Sequence, residues 1–297
     1  MNRIQKIKVI GSVVLVSGAL MYGISTDEKN KITHEGTASY FPTSIDFATE
    51  PAPLQISDVR ERFDRELLIN ANLDATTLLI IKRAHRAFPI IEPILQRYGV
   101  PNDFKYLAVI ESGLVNAVSP AGARGVWQFM PITAKEKGME VNETVDERYH
   151  LQKSTEAACK YLLDAKAKFG SWTLAAASYN GGMTGVTKQI EMQQVSSYYD
   201  LLLNDETSRY VFRILALKEI MQNPEKYGFV IDPLDLYVGL PTKTILVDTS
   251  IVDLASFAKS QGINYKILKI HNPWLRDKKL PNASRKRYEI EIPLSGY

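Results

Sequence analysis

The sequence predicts a mainly α protein with three parts: a helical preface, a helical body and a small C-terminal α+β module in strand–helix–helix–strand order. Three observations carry that reading. Apolar residues recur every three or four positions across the middle of the chain, as Val59, Phe63 and Leu67 do at its start, which is the period of a helix that buries one face. The period lapses at Gly99, Gly113, Gly138 and Gly170, and glycine is the common residue just past a helix end. Beyond Pro233 the period turns to two, with Thr244 and Leu246 against Ile245 and Val247, the alternation of a half-buried strand.

With 297 residues and roughly 150 residues per domain, about two domains are expected. Hydrophobic residues make up 45% and charged ones 23%, ordinary values for a globular chain. A net charge of +3 is too small to argue for nucleic acid. The single Cys159 excludes an internal disulfide, and its place between Ala157-Ala158 and Tyr161-Leu162 suits a small buried hydrophobe. The four histidines are scattered without ligand spacing, so neither a metal nor a cofactor is expected.

In chain order, Arg3, Lys6 and Lys8 precede an uncharged run from Val9 to Thr26. Residues 1–26 are therefore expected to direct export, as a signal peptide or as a membrane anchor, both of which stay open. Residues 27–53 are polar and carry Pro42, Pro51 and Pro53, and are expected to be a linker. The preface spans 54–98. Its first helix holds Val59 to Leu67, its second Leu78, Ile81 and Ala84-His85, and its third runs from Pro89 to Tyr98. In the body, 99–232, helices are expected over Ile132–Lys137, from a Ser154 cap to Phe169, over Trp172–Tyr179, and over Thr207–Met221.

The body is organised around Phe104–Pro131, and within it around Glu111. Asn102 or Asp103 reads as the cap of a helix that Gly113 stops. Leu107 and Ala108 precede Glu111 by four and three residues and Phe104 by seven, so all share its face. A carboxylate there loses water, and in the last turn it meets the negative end of the helix dipole; both effects raise its pKa. A carboxyl protonated near neutral pH serves as a general acid. The helix pattern fits equally a glutamate buried for packing and paired to an arginine. After the helix, the small residues of Ala121–Gly125 form a loop leading to Val126-Trp127-Gln128-Phe129-Met130-Pro131, amide and aromatic groups of the kind a sugar cleft uses. The acidic stretch Glu140, Glu143, Asp146, Glu147 is expected as a solvated face.

Glu111-Ser112, then Gly125-Val126-Trp127-Gln128 with Met130-Pro131, then Ser178-Tyr179-Asn180-Gly181-Gly182 resemble three signatures of the lytic transglycosylases. These are written ES, GLMQ and AYNxG, and belong to a catalytic domain similar to goose lysozyme. Order and spacing match over about Ile91 to Tyr227, with Val126-Trp127 in place of Leu-Met and Ser178 in place of Ala. The resemblance implies a lysozyme-like α-helical catalytic domain over 99–232. It also implies that the substrate is the glycan strand of peptidoglycan. Glu111 would protonate the oxygen between N-acetylmuramic acid and N-acetylglucosamine, aided by the muramic acetamide. The same residue would then take the proton of the C6 hydroxyl, closing a 1,6-anhydro ring without water. Carried over position by position, Ser112 and Ser119 stand near the acid, Gln128, Met130 and Thr133 line the cleft, and Tyr179 and Asn180 place the reacting sugar. Glu206 matches a cleft glutamate; the alternative is a plain helix start. Trp127 is expected to reshape one subsite.

The tail, 242–297, resembles a LysM module. A strand at Thr242–Asp248, helices around Leu254–Ala258 and Tyr265–Ile270, Asn272-Pro273 and a strand at Arg287–Pro293 follow its order. The usual Gly-Asp-Thr opening is absent. This tail makes the chain similar to the membrane-bound D-type members of the family. It is expected to fold separately, bind N-acetylglucosamine-containing glycan and tether the enzyme, which is expected to be a monomer. Two rival readings remain. One is a hydrolysing muramidase in which Glu206 or an acid of 140–147 activates water; the other is a non-catalytic wall-binding protein.

Overall fold

The computed structural model describes residues 40–297. The expected export segment and the first part of the expected linker lie outside the described residues. The rest of that expected linker is not one. Residues Asp46–Phe47 (β1) and Glu50–Pro51 (β2) pair as a short antiparallel hairpin. Ile45, Phe47, Ala48, Ala52 and Leu54 are buried in the same core as the helices that follow. Apolar residues without a regular period gave no signal there, yet their burial holds the segment down.

The preface is two helices, α1 (Ser57–Ala71) and α2 (Asp74–Tyr98). The separate helix expected from Pro89 merges into α2, which keeps Pro89 and Pro93 in its interior. Each proline removes a backbone donor, a cost of about 3 kcal/mol. An uninterrupted buried stripe of Ile80, Ala84, Ala87, Ile91, Ile94 and Leu95 outweighs it, since each large side chain buried there contributes roughly 1.5–3 kcal/mol. The body follows as α3 (Lys105–Ser112), α4 (Pro131–Glu136), α5 (Leu151–Phe169), α6 (Trp172–Gly181), α7 (Met183–Gln193) and α8 (Asp205–Gln222). α5 starts one turn before the expected Ser154 cap, and the Ser154 hydroxyl instead donates to His150 O at 2.9 Å. Along α8, Tyr210, Val211, Phe212, Ile214, Leu215, Ala216 and Leu217 are all buried. A helix apolar on nearly every side belongs at the centre, and α8 packs against α1, α3 and α6.

The C-terminal module is β3 (Thr242–Val247), α9 (Leu254–Ser260), α10 (Tyr265–His271) and β4 (Tyr288–Pro293). Its strands pair antiparallel from Thr242↔Pro293 to Val247↔Tyr288. Rather than standing apart, it docks on the body. Val145 bridges Leu275, Asp146 N–H donates to Trp274 O at 2.9 Å, and Arg276 N–H donates to Thr144 O at 2.8 Å. Val145 and Tyr149 share one core with Trp274, Leu275 and Tyr288.

Of the acidic stretch expected as a solvated face, Glu143 is exposed but the others are not. Asp146 and Glu147 are 1% and 2% exposed. Arg148 donates to both oxygens of Asp146, at 2.9 and 2.7 Å. Lys286 of the module binds Glu140 at 2.6 Å and Glu147 at 3.2 Å. Burial raises the Glu147 pKa, but the Glu140 N–H, Lys153 and Lys286 outweigh it and hold the carboxyl below its usual range. Glu140 and Glu147 thus seat the module and Asp146 is held by Arg148, while Glu143 is exposed.

Candidate active site

Glu111 stands in the last turn of α3, which Gly113 ends in the left-handed conformation at φ 59°. Asp103 does not cap this helix. A 3₁₀ turn over Asn102–Phe104 precedes it, and the Asp103 carboxylate instead accepts Ala48 N–H and Lys218 Nζ, both at 2.8 Å. Glu111 is partly exposed while its neighbours Leu107 and Ala108 are fully buried. From α8, the Tyr210 hydroxyl donates to Glu111 Oε1. Burial pushes the Glu111 carboxyl up to about 7; the Tyr210 hydrogen bond and the Arg213 charge oppose the shift, and nearby Glu206 adds to it. A carboxyl half-protonated near neutral pH can give a proton and take one back.

The loop after α3 is tied to it by Ser112, whose hydroxyl donates to Val126 O at 2.8 Å. Gly125 (φ +85°) is required there, because a Cβ would lie 1.8 Å from Arg148 O. Ser119 Oγ accepts Ala123 N–H at 3.0 Å. Gln128 Nε2 donates to Ala117 O at 3.1 Å and Gly125 O at 2.6 Å, so its amide donors knit the loop. Trp127 is fully buried and donates to Thr155 Oγ1 at 2.8 Å. It therefore shapes the core beneath the loop and not a subsite. Met130 (43% exposed) and Thr133 lie at the start of α4, outside the hydrogen-bond network just described.

Tyr179 and Asn180 come from the end of α6. The Tyr179 hydroxyl donates to Trp127 O at 2.8 Å, and its ring packs against Phe129 and Tyr161 at 5.8 and 5.1 Å between centroids. Burial and then the Glu111 charge push its pKa well above the usual range, so it stays neutral. Asn180 Nδ2 donates to Glu206 Oε1 at 2.9 Å, and its Oδ1 accepts the Thr207 hydroxyl at 2.7 Å. Glu206 is exposed, within the first turn of α8. The end of α6 is thus bonded to the start of α8, one turn from Tyr210.

Tyr210 and Arg213 were not singled out for chemistry by the sequence, which placed them only within the helix expected over Thr207–Met221. The available signal was the position of Tyr210 four residues after Glu206, on the same side of α8. Tyr210→Phe removes a hydrogen bond that lowers the Glu111 pKa while leaving its burial. The acid should then titrate higher, shifting the alkaline limb of the pH–rate profile up by about half a unit or more; unchanged limbs would show that the contact carries no energy. Among the described residues, no group of three His, Cys, Asp or Glu side chains could hold a metal ion.

Comparison with known proteins adds two domain matches. Residues 88–201 match the family described as Transglycosylase SLT domain. Residues 243–296 match the Soluble lytic transglycosylase C-terminal LysM-like domain. The chain is also 29% identical over 241 residues to proteins named Membrane-bound lytic murein transglycosylase D from Escherichia coli K12 and from the O6:H1 strain CFT073. The alignment covers 79% of the chain and 51% of each relative. The chain therefore spans about half the length of the curated relatives it matches.

Proposed function

We propose, from the premise that this chain carries an SLT transglycosylase domain followed by a LysM-like domain, that it is a peptidoglycan lytic transglycosylase. In this reading it cleaves the β-1,4 bond from N-acetylmuramic acid to N-acetylglucosamine and leaves 1,6-anhydro ends. The observation that carries it is a single carboxyl, Glu111, poised near pH 7 beside neutral tyrosines. Glycoside hydrolysis with a second catalytic carboxylate places the pair about 5–9.5 Å apart with clear roles. Here Glu206 accepts a hydrogen bond from Asn180 at the rim, and Glu140 and Glu147 are ion-paired to Lys286 of the module. One acid that protonates the leaving oxygen and then deprotonates the C6 hydroxyl needs no partner.

Ser112, Ser119 and Gln128 fix the loop that walls the site. Met130 and Thr133 extend that wall along the glycan. Tyr179 and Asn180 set the reacting sugar against Glu111, with Glu206 contacting it at the rim. The C-terminal module holds N-acetylglucosamine-containing glycan, and the basic-then-apolar N-terminus directs export to the cell envelope. No helix among the described residues is long and apolar enough to cross a membrane. Incubation of the purified protein with wall sacculi tests the activity: release of soluble muropeptides is expected, and binding without release would leave a wall-binding protein.

A further inference from the structure

The hairpin segment ahead of α1 meets three helices at one end of the body, and those are the helices that carry the site. Glu50 receives the N-terminus of α6. Its carboxylate accepts Trp172 N–H at 2.6 Å and Thr173 N–H at 2.9 Å. It also accepts the hydroxyls of Ser171 and Thr173 at 2.8 and 2.9 Å. Burial works against the charged form, but these donors outweigh it and hold the carboxyl below the usual range.

Asp46 reaches α8: Lys218 Nζ donates to its carbonyl at 2.8 Å and lies 3.3 Å from its carboxylate. The same ammonium donates to Asp103 at the foot of α3. Phe47 packs edge-on against Phe104 at 4.9 Å, and Phe104 against Trp172 at 5.3 Å. The turn of the hairpin is itself forced. Ala48 and Thr49 both adopt positive φ, 53° and 67°, and are pinned there by Asp103 and Asp46. Non-glycine residues hold that conformation only where their surroundings impose it.

The spacing gives the segment a purpose. Phe104 stands seven residues before Glu111, Trp172 seven before Tyr179, and Lys218 eight after Tyr210. At 1.5 Å per residue, each anchor sits about 11 Å, or two helical turns, behind the side chain it governs. Sliding or rotating any of the three helices would move one of those groups relative to the others. The segment lies outside the 88–201 match, so the domain as matched does not contain it.

We propose that residues 45–54 form a clasp that sets the register of α3, α6 and α8, with Glu50 as a positioning residue for the reacting groups. The proposal rests on the lytic reading above. Glu50→Gln keeps the shape but turns an NH₂ toward N–H and hydroxyl donors, loosening α6 at the end opposite Tyr179.

The test has two arms. In turnover of soluble glycan, kcat should fall at least ~10-fold with KM within about twofold, the signature of lost orientation. In NMR titration of isotope-labelled glutamate, which needs no activity, Glu111 should shift toward an ordinary carboxylate by about half a unit or more as water reaches it. An inactive wild type would sink the lytic reading, while the titration arm still decides the clasp. Should Glu50→Gln not fold, Ser171→Ala removes one donor, and a smaller shift in the same direction is expected. A folded variant with Glu111 unmoved and kcat unchanged overturns the proposal.

Discussion

Glu111→Gln should reduce turnover by ~10²- to 10⁴-fold, the usual worth of general acid–base catalysis, while leaving the fold and glycan binding intact. The amide keeps the shape and can still accept the Tyr210 hydrogen bond, but has no proton to exchange in this pH range. Near-normal turnover would remove Glu111 from the mechanism.

The same substitution should act on stability in the opposite direction. The folded-state pKa of about 7 lies above the ordinary value of 4.5, so the fold holds a proton that the unfolded chain gives up. Stability from this group is fully present below about pH 4.5, falls as pH rises, and levels off beyond pH 7. Allowing for partial exposure, the loss is on the order of 2 kcal/mol. Glu111→Gln should therefore melt higher than wild type at pH 8 and close to it at pH 4. In wild type, activity should decline as pH passes through 7 and Glu111 loses its proton.

A chain ended before Pro233 should be the most destabilised variant. The sequence suggested a tether that could be cut away, yet Val145 and Tyr149 are buried against Trp274 and Leu275, and Glu140 and Glu147 lose Lys286. Uncovering two large side chains and two ion-paired acids should cost the body about 3–5 kcal/mol, a fall in Tm of roughly 10 °C or more. The result to compare is the melting curve of the truncated chain with that of the full one. Coincident curves, with turnover of soluble glycan retained, would restore the independent tether.

Much of this fold was legible because helices announce themselves locally. The spacing of Val59, Phe63 and Leu67 located α1, and the face shared by Phe104, Leu107, Ala108 and Glu111 located the acid. Gly113 marked the stop that puts Glu111 in a last turn. The strand alternation near Leu246 and before Pro293 gave the module its order.

Long-range partners left no such trace. Glu50 bonds Trp172 and Thr173 across more than a hundred residues, and Asp103, read as a cap, is claimed by Ala48 and Lys218. Pro89 and Pro93 signalled a break that packing overrode. Trp127 looked like a cleft residue because the motif around it is one, whereas its indole points to Thr155. The acids at 146 and 147 looked solvated because their partners, Arg148 apart, lie on other elements.

Cleavage of the glycan by one carboxyl without water leaves a signature in the mass of the products. Mass spectrometry of the soluble fragments released from sacculi tests it most directly. Muropeptides ending in 1,6-anhydro-N-acetylmuramic acid are expected, each lighter by one water than its hydrolytic counterpart and lacking a reducible end. Fragments with free reducing ends, incorporating labelled oxygen from heavy-oxygen water, would contradict that expectation and identify a hydrolysing muramidase.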